Sequence, residues 1–114
     1  MYSYGSFDWT TDDPLNSYIA SDGLHIVPTL TMNVTDITTA QLQNNFTVNL
    51  TADGSCTSPA KLQCVITSNS TNGTIINPVR SARLTTAGKV AIKYGRVEVV
   101  AKFPKGDWLW PSIW

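Results

Sequence analysis

Apolar and polar residues alternate along much of this chain with a period of two, which is typical of β-strands. Phe46, Val48 and Leu50 are separated by threonine and asparagine, a pattern that predicts a strand with one buried face. Long segments with the 3.6-residue period of a helix are missing, and only a short helical turn near Thr38–Asn44 is expected. The pattern therefore predicts an all-β fold.

A second strand is expected over Gly23–Leu30, after the turn signal Asp22-Gly23. Leu24 and Ile26 share one parity and are predicted to point inward, together with Leu30. A proline within the run, Pro28, limits this strand to a sheet edge or a bulge, because proline has no N–H to donate to a neighbouring strand. His25 falls on the opposite, solvent-facing side.

Two longer strands are predicted in the last third of the chain. Pro78–Thr86 and Lys89–Phe103 are separated by the turn signal Ala87-Gly88, which predicts a β-hairpin. The parity of the apolar residues changes at Gly95, where a bulge would redirect the second strand. A turn is expected at Pro104–Asp107, before the closing segment.

Between these regions, Ala52–Asn77 reads as a long loop that contains both cysteines. Cys56 and Cys64 are too few to complete a tetrahedral zinc site, and their spacing is not that of a redox Cys-x-x-Cys motif. We expect them to form a disulfide that closes a small loop, which would contribute about 2–3 kcal/mol by the chain-entropy relation. Such a bond persists in an oxidising compartment.

Five Asn-x-Ser/Thr sequons support the same compartment, because these motifs accept N-linked glycans in secreted proteins. The candidate asparagines are Asn33, Asn45, Asn49, Asn69 and Asn72. The first residues have neither the basic flank nor the apolar core of a signal peptide. We therefore expect a secreted or cell-wall-associated protein whose targeting or anchoring segment lies upstream of Met1.

Charge excludes some partners. The eight basic and eight acidic side chains cancel, so no basic surplus is present to neutralise the phosphates of a nucleic acid. No apolar stretch approaches the roughly 20 residues of a membrane-spanning helix.

The residues suggest neither a metal site nor a cofactor. Asp12 and Asp13 are adjacent and are expected to act as turn formers.

The closing segment is unusually rich in tryptophan. Trp108, Trp110 and Trp114 share one parity, so an extended run would present an aromatic ridge on one face. Flat aromatic rings stack on the C–H faces of sugars. Tryptophans also serve as large core residues, and that alternative stays open for each one taken alone.

Three segments of the sequence, including the tryptophan-rich one, resemble a known enzyme family. Tyr94–Trp114 resembles the stretch of family 16 glycoside hydrolases with the general form Tyr-Gly, Glu, Ala-Lys, Pro-x-Gly and Leu-Trp-Pro-Ala-hydrophobic-Trp. Ser81-Ala-Arg-Leu-Thr-Thr86 is similar to the preceding Ser-Gly-Arg-Ile/Leu strand of laminarinase-like members, and Asp22-Gly-Leu-His-Ile26 to their early strand. The cysteine-containing, sequon-rich insertion resembles the secreted fungal branch.

The resemblance implies a β-jelly-roll sandwich of the concanavalin A-like type, with residues 1–114 as the incomplete N-terminal half of the catalytic domain. It implies an enzyme that hydrolyses β-1,3 or mixed β-1,3/1,4 glucans with retention, and β-glucan as the partner. By motif position Arg83, Trp110 and Trp114 are the substrate-binding residues. Trp108 matches less well, and Ser112 replaces the usual alanine.

The catalytic pair is expected outside these residues. Retaining glycosidases need two carboxyl groups about 5–5.5 Å apart, and in family 16 they belong to a Glu-x-Asp-x-x-Glu strand that follows the Trp-Pro segment. The single glutamate here, Glu98, shares the side of Arg96 and Lys102 by strand parity and is read as a cross-strand ion-pair partner. No catalytic residue is assigned, and the chain alone is expected to be inactive. The alternatives are a non-catalytic β-glucan-binding module or a cell-wall glucan assembly protein.

Overall fold

The computed structural model describes residues 6–58, 60 and 63–114. The chain forms two units, Met1–Leu84 and Thr85–Trp114. Every helix and strand of the described residues lies in the first unit. In chain order they are β1 (Asp8–Thr10), β2 (Ser17–Ala20), β3 (Gly23–Ile26), β4 (Thr29–Leu30), α1 (Thr31–Val34), α2 (Thr39–Gln43), β5 (Thr47–Asn49), β6 (Val65–Thr67) and β7 (Val79–Ser81).

The central sheet has three strands in the order β1-β7-β4. Strand β7 runs parallel to β1, with Trp9 opposite Arg80, and antiparallel to β4, with Thr29 opposite Arg80. Two two-stranded sheets, β2-β3 and β5-β6, accompany it. Strands dominate and the two helices are short, so the all-β prediction is confirmed. The jelly-roll arrangement stays a prediction.

Polar side chains occupy much of the interior of this small unit. The buried apolar residues of the described part are Trp9, Leu42, Cys64 and Ile76, and the buried polar ones are Asn16, Thr31, Ser68 and Asn77. Each buried polar side chain is hydrogen-bonded, as burial without a partner would cost stability. The amide of Asn77, for example, donates to the carbonyls of Ser6 and Asp8 at 2.7 and 2.8 Å.

Strands β2 and β3 form a hairpin, and here the predicted orientation is wrong. Leu24 and Ile26, expected to point inward, are 56% and 48% exposed. The physical reason is that β3 pairs only with β2 in a separate two-stranded sheet, so its apolar face has no second layer to pack on. The strand also ends at Ile26, two residues before Pro28, and Leu30 belongs to β4 and is exposed.

The other face of this hairpin carries a stacked pair of rings. The imidazole of His25 lies parallel to the ring of Tyr18, with centroids 4.8 Å apart. Its Nε2 atom is 2.7 Å from a carboxylate oxygen of Asp22. This hydrogen bond, with a smaller contribution from the charge on the imidazole, lowers the pKa of the Asp22 carboxyl below its ordinary value.

We expect His25→Ala to raise the pKa of the Asp22 carboxyl toward its ordinary value, because the substitution removes the hydrogen bond that is the largest cause of the lowering. Because the pKa of Asp22 is lowered in the folded state, its hydrogen bond with His25 stabilises the hairpin at pH values above the pKa of the unfolded chain. That stabilisation is lost as the pH falls through the folded-state pKa. The ¹³C shift of the Asp22 carboxyl, followed by NMR through an acid titration, measures this. Identical midpoints in the two proteins would contradict the assignment, and Leu24→Ala on the other face is the control.

The short helical turn predicted near Thr38–Asn44 is present as α2. Thr38 precedes it and its hydroxyl accepts a hydrogen bond from the backbone N–H of Gln41, while the Gln41 side chain accepts one from the backbone N–H of Thr38. This reciprocal capping box satisfies two N–H groups at the helix start. Leu42 is the buried residue of the helix, and its carbonyl accepts a bond from Ile76.

The alternation that predicts a strand around Val48 is confirmed. Phe46, Val48 and Leu50 are half-buried, while Thr47 and Asn49 are exposed. The strand β5 pairs antiparallel with β6, which lies inside the predicted loop Ala52–Asn77. That loop is therefore shorter than expected, because the disulfide brings its two arms together.

The predicted Cys56–Cys64 disulfide is present, with Cα atoms 5.6 Å apart. Two backbone hydrogen bonds accompany it. The N–H of Leu50 donates to Cys64 at 2.8 Å, and the N–H of Cys56 donates to Leu50 at 3.0 Å. Leu50, the residue directly after β5, is thus hydrogen-bonded to the backbone of both half-cystines.

The second unit, Thr85–Trp114, departs most from the prediction. The turn after Thr86 is present: its carbonyl accepts from Lys89 and Val90 at 2.9 and 3.0 Å, and Gly88 has φ 74°. No strand is formed over 89–103, all of which the structure describes, so the predicted hairpin is wrong. The physical reason lies in β7, whose two edges are already paired with β1 and β4.

The tryptophans of this unit are open to solvent. Trp110 is 90% exposed and Trp114 is fully exposed. Trp108, also fully exposed, has φ 67°, a left-handed conformation that is uncommon for a bulky residue, at the turn predicted near Asp107. Glu98 pairs with Arg96, two residues before it, rather than across a strand pair. None of the three tryptophans is a core residue of this unit.

Candidate functional site

A cavity of about 340 Å³ opens in the first unit beside the carboxyl ends of β1 and β7. Because these two strands are parallel, the residues that follow them meet at the same edge of the sheet. A third wall comes from the segment after β5. The lining residues are Trp9, Thr10, Thr11, Asp12, Leu50, Asp53, Ser55, Thr57, Arg80 and Arg83.

Arg80, one of the lining residues, contacts both an aromatic ring and a carboxylate. The guanidinium carbon of Arg80 lies 5.4 Å from the centre of the Trp9 ring, within cation–π range. Its Nη2 atom is 3.1 Å from a carboxylate oxygen of Asp13. The Arg80 side chain is only 12% exposed, so both interactions act with little screening by water.

Asp13 in turn is fixed by the backbone. Its other carboxylate oxygen accepts the N–H of Leu15 at 2.9 Å, and its carbonyl accepts the N–H of Asn16 at 2.8 Å. This is the turn-forming role that the sequence predicts. The ion pair with Arg80 is additional, and it joins this turn to β7.

The Nε atom of Arg80 is buried and has no hydrogen-bond partner among the described residues. Most buried polar atoms in proteins have a partner, so this one carries a cost of desolvation. The cation–π contact with Trp9 and the ion pair with Asp13 offset that cost.

The third wall is the segment Leu50–Thr57, which ends at the disulfide. Asp53 projects from it, and its carboxylate accepts hydrogen bonds from the hydroxyl and the backbone N–H of Ser55 at 2.6 and 2.9 Å. These bonds lower the pKa of the Asp53 carboxyl, with the hydroxyl bond as the largest cause. Asp53 is therefore an ionised acceptor at neutral pH.

Arg83, predicted to bind substrate, lines this cavity and is exposed. No ion pair engages it among the described residues, so its guanidinium is available to a ligand. The other two predicted substrate-binding residues, Trp110 and Trp114, lie in the second unit and are exposed. The roles of all three stay predictions.

Sequence patterns did not single out Trp9 or Arg80. They are 71 positions apart in the chain and meet only because β1 and β7 pair. The available signal was the position of Arg80 within the predicted strand Pro78–Thr86, since a charged residue in a strand is costly unless it has a partner.

Chemically, the cavity offers donors and acceptors of both signs around an aromatic edge. Two arginines and two aspartates give it no net charge, which suits a neutral, hydroxyl-rich ligand better than an anion. Among the described residues no three histidine, cysteine, aspartate or glutamate side chains are grouped to hold a metal ion. No helix of the described residues is long and apolar enough to cross a bilayer.

Comparison with known proteins reveals relatives named for glucan binding. The chain is 54% identical over 59 residues to the β-1,3-glucan-binding protein of Penaeus monodon, covering 52% of this chain and 16% of that protein. It is 33% identical over 105 residues to Gram-negative bacteria-binding protein 2 of Drosophila melanogaster, covering 90% and 20%. The glucan endo-1,3-β-glucosidase A1 of Niallia circulans matches 30% of this chain and 5% of its own length at 47% identity.

No family model and no solved structure matches the chain. The chain spans about a fifth or less of the length of these relatives. It is therefore similar to β-1,3-glucan-binding proteins over a limited part of their sequence.

These relatives correct two expectations. The prediction of a glycosidase is wrong, because the shrimp and insect relatives, which match 52% and 90% of the chain, are named for binding glucan or bacteria, whereas the glucosidase matches 30% of it. The fungal placement has no support, since the relatives named here come from a shrimp, an insect and a bacterium.

Proposed function

We propose that this chain contributes to a protein that binds β-1,3-glucan. The observation that carries the proposal is the 54% identity, over half of the chain, to a protein named for that binding. The cavity beside β1 and β7 supports it independently, because its lining suits a neutral sugar. Of the functions predicted from the sequence, the binding module is thus the one retained.

We also propose the sandwich fold and the setting. In this proposal residues 1–114 belong to a jelly-roll domain of the family 16 type that recognises glucan without cleaving it. The protein is secreted, in keeping with the Cys56–Cys64 disulfide, which is maintained in an oxidising compartment. Recognition of glucan outside cells requires no catalytic carboxylates, and no residue of this chain is assigned a catalytic role.

The cavity serves as one sugar subsite in this proposal. Its volume of about 340 Å³ lies at the small end of ligand pockets, which suits one or two sugar rings rather than a long stretch of glucan. Arg83 donates hydrogen bonds to ring hydroxyls and Asp53 accepts them. Trp9, buried against Arg80, contributes a rigid apolar edge.

Trp110 and Trp114 provide stacking surfaces for further sugar units. Both indole rings are exposed, and each offers a large apolar area that a sugar face can cover. Their positions in the second unit make them separate contributors, which we expect to act on polymeric glucan more than on a short oligosaccharide.

Arg83→Ala is expected to weaken the binding of a short, soluble β-1,3-gluco-oligosaccharide by about tenfold. A hydrogen bond to a charged group contributes about 1.5–3 kcal/mol, and 1.4 kcal/mol corresponds to tenfold in Kd. Isothermal titration calorimetry measures the change. Arg96→Ala is the matched control, because Arg96 is equally an exposed arginine but pairs with Glu98 in the second unit.

The same proteins, incubated with insoluble β-1,3-glucan and with cellulose, test linkage preference. Retention on the β-1,3-glucan alone would support the proposal. Failure of the unmodified chain to bind either the oligosaccharide or the polymer would overturn it. If Arg83→Ala and Arg96→Ala change the Kd for the oligosaccharide equally, the cavity is not the binding site, although the chain still binds glucan.

A further inference from the structure

The five sequons are all on the surface, yet the structure divides them into two groups. Each candidate asparagine is exposed, so accessibility does not distinguish them. The difference lies in the threonine two residues after each asparagine, whose hydroxyl completes the sequon. In one group the asparagine side chain bonds this threonine, and in the other the hydroxyl is bonded elsewhere.

In three sequons the side chain of the asparagine turns onto that threonine. Its amide oxygen accepts the threonine backbone N–H at 3.0 Å for Asn49, 2.9 Å for Asn69 and 3.0 Å for Asn72. We call these three the turn sequons. Such turns involve residues only two apart and form without the rest of the fold.

In the other two sequons, which we call the held sequons, the hydroxyl is bonded outside the motif. Asn33 lies within α1, and the hydroxyl of Thr35 donates to the helix carbonyl of Thr31 at 2.7 Å. Asn45 precedes β5, and the hydroxyl of Thr47 is 2.7 Å from that of Thr67 on β6.

The second held sequon is also embedded by its backbone. Asn45 has φ 55°, and its N–H donates to Ser68 at 2.8 Å. The N–H of Phe46, the middle residue, donates to the Ser68 hydroxyl at 3.1 Å, and Phe46 is half-buried. Presenting this sequon to an enzyme would require breaking these bonds and the start of the β5-β6 pairing.

N-glycosylation is a group transfer with demands that fit this division. The asparagine nitrogen Nδ2 forms a bond to the anomeric carbon of a sugar carried on a polyprenyl diphosphate, and the bond from that carbon to the diphosphate oxygen breaks. The lipid diphosphate leaves with the electron pair, and one amide proton passes to a base. A donor to the amide oxygen stabilises the charge that develops as this proton leaves.

We propose that the turn sequons carry N-linked glycans at high occupancy and that the held sequons carry few. Transfer to the growing chain competes with folding. A local turn is formed before and after folding, whereas folding bonds the threonine hydroxyl of each held sequon outside the motif, to Thr31 in one and to Thr67 in the other. This inference rests on the proposed secretion but is independent of glucan binding.

The placement of the turn sequons is compatible with the cavity. Asn49 is the last residue of β5 and does not line the cavity, whereas the next residue, Leu50, does. A glycan on Asn49 therefore leaves the cavity open. It instead adjoins Val65, the exposed residue paired with Asn49 across the sheet. The Asn69 and Asn72 glycans would flank the turn closed by the bridge between Asn69 and Thr74.

The test is site-resolved glycan occupancy. The complete 114-residue chain, preceded by a cleavable secretion signal, is expressed in insect cells, digested and treated with peptide N-glycosidase in H₂¹⁸O. Mass spectrometry then counts the ¹⁸O-labelled aspartate at each site. We expect each turn sequon to be occupied severalfold more than either held sequon. Equal occupancy at all five sites, or higher occupancy at Asn33 or Asn45, would overturn the proposal.

A matched pair of variants tests the cause. Thr67→Val keeps the shape of the strand residue but removes the hydroxyl that engages Thr47, whereas Thr67→Ser keeps a hydroxyl. Occupancy at Asn45 is expected to rise in Thr67→Val and to stay low in Thr67→Ser. Unchanged occupancy at Asn45 in the valine variant would refute the role given to this hydrogen bond. No glucan is present in this experiment, so its result is independent of whether the chain binds glucan.

Discussion

Replacing Asn16 with alanine is expected to lower the free energy of unfolding by about 3–5 kcal/mol, the loss typical when a buried hydrogen-bond network is broken. The Asn16 side chain is fully buried. Its amide nitrogen donates to the carbonyl of Val27 and the hydroxyl of Thr29, both at 2.9 Å, and to the carbonyl of Arg80 at 3.3 Å. Its oxygen accepts the Thr11 hydroxyl at 3.0 Å.

The size of the effect follows from what these bonds connect. They join the start of the β2-β3 hairpin to β4 and to β7, so one side chain links segments that are distant in sequence. Alanine would remove the side-chain donor from the carbonyls of Val27 and Arg80, and an acceptor left without a partner inside the protein costs about 1–3 kcal/mol. It would also leave a cavity the size of the lost amide.

Urea denaturation followed by far-UV circular dichroism measures this change in the chain produced without glycans. Asn33→Ala is the matched control, because Asn33 is exposed on α1 and its loss should change stability by no more than about 0.5 kcal/mol. A stability loss in Asn16→Ala as small as that of the control would show that the network is not what holds the three segments together.

Features that depend on neighbouring residues were predictable from the sequence. The capping box of Thr38 and Gln41 involves residues three apart, and the disulfide closes a loop between cysteines eight positions apart. The alternation around Val48 reports one buried face, and that face is buried. In each case the sequence pattern and the structure are linked by local geometry alone.

Features that depend on distant partners were not predictable in the same way. Leu24 lies on a face with the right period, but whether a second layer covers that face is decided by elements elsewhere in the chain. The predicted hairpin partner of β7 is absent because β1 and β4 occupy both edges of that strand. An alternating pattern indicates that a segment can form a strand, and pairing decides whether it does.

The candidate site shows the same division. Arg83 could be selected by its family motif, whereas Trp9 and Arg80 acquire their role only through the parallel pairing of β1 and β7. The third wall of the cavity depends on a different long-range link, the bond between Cys56 and Cys64. Stability and ligand binding are therefore expected to be coupled through that bond.

Changing both cysteines to serine is expected to lower the free energy of unfolding by about 2–3 kcal/mol, the value that the chain-entropy relation gives for a loop of this length. In addition, it should weaken binding of the short β-1,3-gluco-oligosaccharide. Ser55 and Thr57, on either side of Cys56, both line the cavity. Without the crosslink the segment that carries Asp53 keeps only its hydrogen bonds, so binding must also order this wall, which costs affinity.

Calorimetric titration of the two proteins, each with and without a phosphine reductant, separates these effects. Reductant should weaken binding to the unmodified chain and leave the double serine variant unchanged, since that variant has no disulfide to reduce. Circular dichroism at the titration temperature establishes that both proteins are folded when binding is compared. Unaltered affinity after complete reduction, in protein that remains folded, would mean that Leu50–Thr57 holds its position without the disulfide. In that outcome the hydrogen bonds of Leu50 to the two cysteine backbones, rather than the covalent bond, would fix the cavity wall.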